Sequence, residues 1–254
     1  MIEQEQLLLH QNRFMNDRQL EKNYLQTLLL FELSSAFSKN LIFKGGTALS
    51  MFYNLNRFSE DLDFTYLKEK DRATTVNIIQ TAFKRINDLY QLGAIKRRGT
   101  NTSLDIEIHI KGPLYSKRKT EQSIEINLSM REEIILPPST LTLSPIYSDI
   151  PTFLINVMDI KEILAEKVRA LLTRKEIKAR DVYDIYHLLK NRHVEANNTL
   201  INQKLLQYDV KFSHALLLKR LNLIDKNLWL SEMSNLVTAP QDYNICCSYI
   251  KKYL

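Results

Sequence analysis

The chain has 254 residues, 44% hydrophobic and 25% charged, with a net charge of +6 and a pI near 9.1. That length allows one large domain or two small ones with an ample core, and the composition is that of a soluble globular protein. The modest positive balance permits a polyanionic partner without demanding one.

The opening stretch, MIEQEQLLLHQN, places acids before its leucine run and is no secretory signal. No apolar run approaches the roughly 18 residues that a membrane span requires. Helical patterns run from Leu20 to Ser38, Gly46 to Asn54 and Asp71 to Leu92. Between them LIFKGG, DLDFTY, SLDIEIHI and SIEINLSM read as strands, the last three by strict alternation. All five glycines lie at or before Gly112. LPPSTLTLSPIYSDIP, with four prolines among its sixteen residues, reads as a connector. From about Asp159 the pattern is helical almost to the end. The layout is an α/β domain over 1–150 and a helical domain over 151–254. The two cysteines, Cys246 and Cys247, are adjacent, which suits neither a disulfide nor a zinc site. A reduced, cytoplasmic setting is expected, with no membrane.

The stretch FKGGTALSMFYNLNRFSEDLDFTY, Phe43 to Tyr66, carries the chemistry. Gly45 and Gly46 fall between a strand and a helical pattern, where backbone N–H groups can approach a phosphate. Thr47 adds a hydroxyl, expected at the cap position of that helix. Asp61 and Asp63 are i and i+2 on a strand, so both project to one face while Leu62 and Phe64 face the core. Carboxylates that close repel, and a divalent cation with a preference for hard oxygen ligands, Mg²⁺, resolves the conflict.

A glycine turn followed by DxD resembles the DNA polymerase β-like nucleotidyltransferases. More narrowly, FKGGTALS…RFSEDLDF resembles the AbiEii toxin family of type IV toxin–antitoxin and abortive-infection systems. The resemblance is strong over Phe43 to Tyr66 and looser over Glu162 to Asp184. One departure is Gly46-Thr47 where the superfamily prefers Gly-Ser; the hydroxyl is retained. The resemblance implies a mixed α+β fold: a polymerase β-like core with a mixed sheet flanked by helices, then a helical bundle. It also implies a third metal-facing acid on a neighbouring strand. Glu125 in SIEINLSM fits that place, with Asp105 and Glu107 in SLDIEIHI as competitors.

In DIKEILAEKVRALLTRK, Lys167 borders an apolar stripe formed by Ile160, Ile163, Leu164, Val168 and Leu171. Residue pattern alone leaves it a surface lysine; the resemblance makes it a phosphate contact. In ARDVYDIYHLL, Asp181 and Asp184 share one helical face. The resemblance gives Asp181 a role as general base or lysine partner. The basic runs Lys96–Arg98 and Lys117–Lys119 are surface charge or an RNA track.

The expected activity is Mg²⁺-dependent nucleotide transfer from an NTP, with Asp61, Asp63 and Glu125 on the metal and Gly45, Gly46, Thr47 and Lys167 on the phosphates. The resemblance points to tRNA or another RNA as acceptor and to a cognate antitoxin protein as partner. Protein AMPylation and a non-catalytic RNA- or nucleotide-binding module are the competing readings.

Overall fold

The computed structural model describes residues 2–37, 40–67, 72–100, 103–116, 121–130 and 133–254. The chain divides into two compact units. The first comprises residues 1–52, 58–134 and 138–157, and the second residues 53–57, 135–137 and 158–254.

The first unit runs α1 (Gln4–Leu8), α2 (Asp17–Phe37), β1 (Leu41–Lys44), α3 (Gly45–Tyr53), β2 (Leu62–Tyr66) and α4 (Arg72–Leu89). It continues through β3 (Gln91–Arg98), β4 (Ser103–Lys111), β5 (Gln122–Ser129), β6 (Ser139–Leu143) and β7 (Phe153–Val157). The strands form one sheet in the order β3-β4-β5-β2-β1-β7-β6. It is mixed: β1 with β7 and β2 with β5 are parallel, and the other pairs are antiparallel.

Alternation decides which face is buried. Leu104, Ile106, Ile108 and Ile110 of β4 and Ile124, Ile126 and Leu128 of β5 are all buried. Leu62, Phe64 and Tyr66 of β2 are buried too, as their i, i+2 spacing predicts. Tyr66 meets Phe37 of α2 edge to face, and Phe31 of α2 meets Phe153 of β7. Helix α2 also packs against α4. The intervening positions, among them Asp63, Asp105, Glu125 and Asn127, point to the opposite face of the sheet.

Three expectations need correction. The helix read as far as Leu92 ends at Leu89, and Gln91 to Arg98 form an edge strand instead. A register shift between Leu92 and Ile95 breaks the alternation that would have announced it. The proline-rich connector is not merely a link: it contains β6, paired with β7 at the other edge. Its prolines flank the strand and leave its ladder intact, which an edge position tolerates. Helix α3 begins at Gly45, so Thr47 lies inside the first turn and not at the cap. The last strand of the sheet ends at Val157.

The second unit is helical: α5 (Ile160–Thr173), α6 (Ala179–Tyr186), α7 (Asn198–Leu205), α8 (His214–Leu221), α9 (Lys226–Met233) and α10 (Tyr243–Tyr253), with a π-helical turn at His187–Asn191. Short polar side chains start five of these helices. Asp159, Asn197, Ser213, Asp225 and Asp242 each accept a hydrogen bond from a first-turn N–H. Glycine is absent here, so left-handed backbone falls to Asn54, His193 and Asp209, with φ of 54°, 53° and 52°. Trp229 is buried, with its ring against those of Tyr183 and Tyr243. Among the described residues, no helix is long and apolar enough to cross a membrane.

Candidate active site

Strand β1 delivers the chain to Gly45, whose φ of +78° is ready access for glycine and strained for any other residue. The missing side chain has a second purpose. A Cβ at position 45 would lie 2.2 Å from Asp63 Oδ2 and 2.9 Å from Asp63 Cβ and Cγ. The Asp63 carboxylate is therefore seated in the space that Gly45 leaves at the start of α3. Its other oxygen, Oδ1, accepts a hydrogen bond from Asn127 Nδ2 at 3.1 Å. Thr47, buried in the same turn, donates from Oγ1 to the backbone carbonyl of Asp61 at 2.5 Å. That bond ties the first turn of α3 to the residue preceding β2. Thr47 thus holds the Asp61 backbone in place, a function beyond the phosphate contact expected from the sequence. Asp61 and Asp63 are both half-buried.

Strand register extends the site sideways. Lys44 lies opposite Asp63, Asp63 opposite Asn127, Asn127 opposite Asp105, and Asp105 opposite Arg98. One row of polar positions therefore crosses five strands. The neighbouring row holds Lys96, Glu107 and Glu125. Glu125 is thus on the same face as Asp63, but the residue directly beside Asp63 is the amide Asn127. Glu107 is occupied: Lys96 at 3.2 Å, then His109 at 2.9 Å, hold its carboxyl below the usual range. Lys96, Arg98, Asp105, Glu107, Glu125 and Asn127 line a cleft of about 170 Å³. Lys117–Lys119 lie outside the described residues.

Asp61 and Asp63 supply hard oxygen donors, and Mg²⁺ is characteristically held by one or two carboxylates together with water and substrate phosphates. The donor set fits that ion. Among the described residues no three acidic, histidine or cysteine side chains gather as a ready-made metal cage. A two-carboxylate site completed by substrate oxygens is compatible with that arrangement.

In the helical unit, Lys167 of α5 is turned inward. Its Nζ lies 2.7 Å from Asp184 Oδ2 and 3.4 Å from Asp181 Oδ1, both on α6. Asp184 also receives Arg57 as a two-pronged pair, Nε to Oδ1 at 2.6 Å and Nη2 to Oδ2 at 2.7 Å. Arg57 and Asp184 are both buried. Burial alone would raise the Asp184 pKa; the charge of Arg57, then that of Lys167, outweighs it and brings the value down to about 2. Asp181 is bracketed by Lys167 and by Arg174 Nη1, which approaches Oδ2 at 3.1 Å without hydrogen-bond alignment. Both of these neighbours of Asp181 are cations. The sequence pointed to Lys167 and Asp181 but not to Arg57 or to the central position of Asp184. Its one signal for Asp184 was the i, i+3 spacing from Asp181.

A family model for the nucleotidyltransferase AbiEii toxin of type IV toxin–antitoxin systems matches residues 28–245. The chain belongs to the AbiEii nucleotidyltransferase toxin family. Two solved structures share the fold of this chain. A Helicobacter pylori protein described as a candidate nucleotidyltransferase superposes with a TM-score of 0.62 at 19% identity, covering 94% of each chain. JHP933, also from H. pylori, superposes with a TM-score of 0.56 at 19% identity, covering 94% of this chain and 91% of its own. At that identity the likeness is one of fold. No curated protein matches the chain.

Proposed function

We propose that the protein is a Mg²⁺-dependent nucleotidyltransferase that moves a nucleotide from an NTP to an RNA acceptor, tRNA in the first instance, and releases pyrophosphate. In this reading it is the toxin of its system, restrained by a cognate antitoxin, and it works in the cytoplasm. The observation that carries the proposal is the Asp63 carboxylate seated against Gly45 and held by Asn127. A glycine with positive φ, a carboxylate in its lee and a helix start together form a place for metal-bound phosphate.

The geometry supports the following roles. Asp61 and Asp63 would hold Mg²⁺, with Glu125 as the nearest acid on the neighbouring row. When bound, that ion offsets charge on the triphosphate and favours ionisation of the attacking hydroxyl. The N–H groups of Gly45, Gly46 and Thr47 at the start of α3 receive phosphate oxygens. Thr47 also fixes the Asp61 backbone through its hydroxyl. In the helical unit Lys167 supplies a compact cation for phosphate, and Asp181 and Asp184 hold its ammonium in one place. Positioning and electrostatics supply the rate enhancement, with no covalent intermediate on the protein. The sheet unit is the catalytic domain and the helical unit its companion.

The test is incubation with each α-labelled NTP, Mg²⁺ and either total RNA or protein extract. Label in RNA supports the proposal. Label in protein replaces it with AMPylation of a protein acceptor, and no label in either replaces it with a binding module.

A further inference from the structure

The helical unit carries a surface that none of these roles uses. Tyr249 and Tyr253, one turn apart on α10, are stacked with ring centroids 4.4 Å apart and planes at 28°. Lys190, on the π-helical turn packed beside α10, lies over the Tyr249 ring at 5.2 Å. Lys252 lies over the Tyr253 ring at 5.1 Å. The result is a continuous row of cation, ring, ring and cation. It is not a core feature: Lys190, Lys251 and Lys252 are exposed, and Tyr253 is 48% exposed. A stacked aromatic pair in that position leaves ring area in water that ordinary packing would cover.

The charge around it has one sign. Helix α8 and the π-helical turn both pack against α10. The three stretches His187–Val194, Lys211–Ile224 and Tyr243–Leu254 contain seven lysines and arginines and no aspartate or glutamate. Arg220 is turned inward, onto the carbonyls of Leu171 and Arg174, but Lys190, Lys251 and Lys252 are not. An exposed ring, Tyr253, backed by the half-buried Tyr249 and flanked by exposed cations matches the two needs of a single-stranded nucleic acid. Its unpaired bases need aromatic faces to stack on, and its phosphates need nearby positive charge.

We infer that the α10 face built from Lys190, Tyr249, Lys252 and Tyr253 binds a single-stranded RNA segment, with a base stacked on Tyr253 and phosphates drawn to the lysines. The inference deepens the proposed function, because it gives an RNA acceptor a second place to be held, on the helical unit. An acidic protein would use the cations but would have no use for the stacked rings. A duplex would keep its bases out of reach of Tyr253.

The experiment is fluorescence anisotropy of the full-length protein with a fluorescein-labelled single-stranded oligoribonucleotide, without NTP or metal. The wild type binds it more tightly than an RNA duplex of the same length. Tyr253→Ala weakens single-strand binding about tenfold, the size of one lost stacking contact. Lys251→Ala with Lys252→Ala lowers the salt dependence, d log K/d log[salt], by about 1.4, at roughly 0.7 per phosphate contact. All three side chains are exposed, so folding is not at stake, and Lys226→Ala on α9 leaves binding unchanged. Wild-type affinity in Tyr253→Ala, no RNA binding by the wild type, or equally tight binding of polyglutamate would each overturn the inference. An Asp61→Asn, Asp63→Asn protein separates the two claims. If it binds RNA like the wild type while no preparation transfers nucleotide, the surface stands and the catalytic reading falls. If the wild type transfers nucleotide and Tyr253→Ala matches it in binding and rate, the reverse holds.

Discussion

Replacing Arg57 by methionine keeps most of the side-chain volume and removes the charge from a buried pair. Among the described residues Asp184 would then be ion-paired with Lys167 alone, in a site where its side chain is 0% exposed. Removing one member of a buried ion pair typically costs about 3–5 kcal/mol, because the remaining charge is stranded. With Lys167 at 2.7 Å offering partial compensation, the expected cost of Arg57→Met is near the lower end, about 3 kcal/mol. The reporter is built in: Trp229 is the only tryptophan, 3% exposed within the helical unit, so its fluorescence during urea unfolding follows that unit. Adding Asp184→Asn to the Arg57→Met protein removes the stranded charge and should recover part of the loss. The pH dependence has a definite sign. The folded-state pKa of Asp184 is depressed from 3.8 to about 2, so its stabilisation is present above about pH 4 and is lost as pH falls through about 2. The drop corresponds to roughly 2 kcal/mol. The gap between wild type and Arg57→Met should therefore narrow as pH is lowered from 6 towards 2. A loss under about 1 kcal/mol at pH 7, or no recovery in the double variant, would refute the buried-pair account.

Two further substitutions separate folding from chemistry. Gly45→Ala places a Cβ 2.2 Å from Asp63 Oδ2 and forces an alanine to φ +78°. Stability should fall by about 1–2 kcal/mol from the left-handed backbone alone. Nucleotide transfer should fall further, by about 100-fold, the scale of a misplaced reacting group; equal losses in melting and rate assays would contradict the seating of Asp63. Lys167→Met leaves Arg57 on Asp184 and Arg174 beside Asp181, so unfolding monitored by Trp229 should shift less than in Arg57→Met. Transfer should nonetheless drop about 100-fold, as when one preorganised donor is removed. An unchanged kcat would reduce Lys167 to a structural cation.

What could be read in advance was local. The Gly45–Gly46 pair and the alternation around Asp61 and Asp63 each announce themselves within a few positions. What could not be read depends on distance or on broken pattern. Arg57 and Asp184 are 127 residues apart, and no local periodicity links them. Asn127 has the same strand phase as Glu125, so alternation placed it on the right face. A search for carboxylates passes over an amide, and only register shows that it stands beside Asp63. Strand β3 was hidden by its register shift and by the helix that ends two residues before it. Strand β6 was hidden by flanking prolines that normally signal a loop.

The most direct test of nucleotide transfer uses one NTP labelled in two versions, at the α- and at the γ-phosphate, with purified acceptor RNA and Mg²⁺. Wild-type protein should place the α-label in RNA and the γ-label in pyrophosphate, and Asp61→Asn or Asp63→Asn should abolish both. If the γ-label entered RNA, or if the asparagine variants transferred nucleotide as fast as the wild type, the two carboxylates would not be the centre of this chemistry.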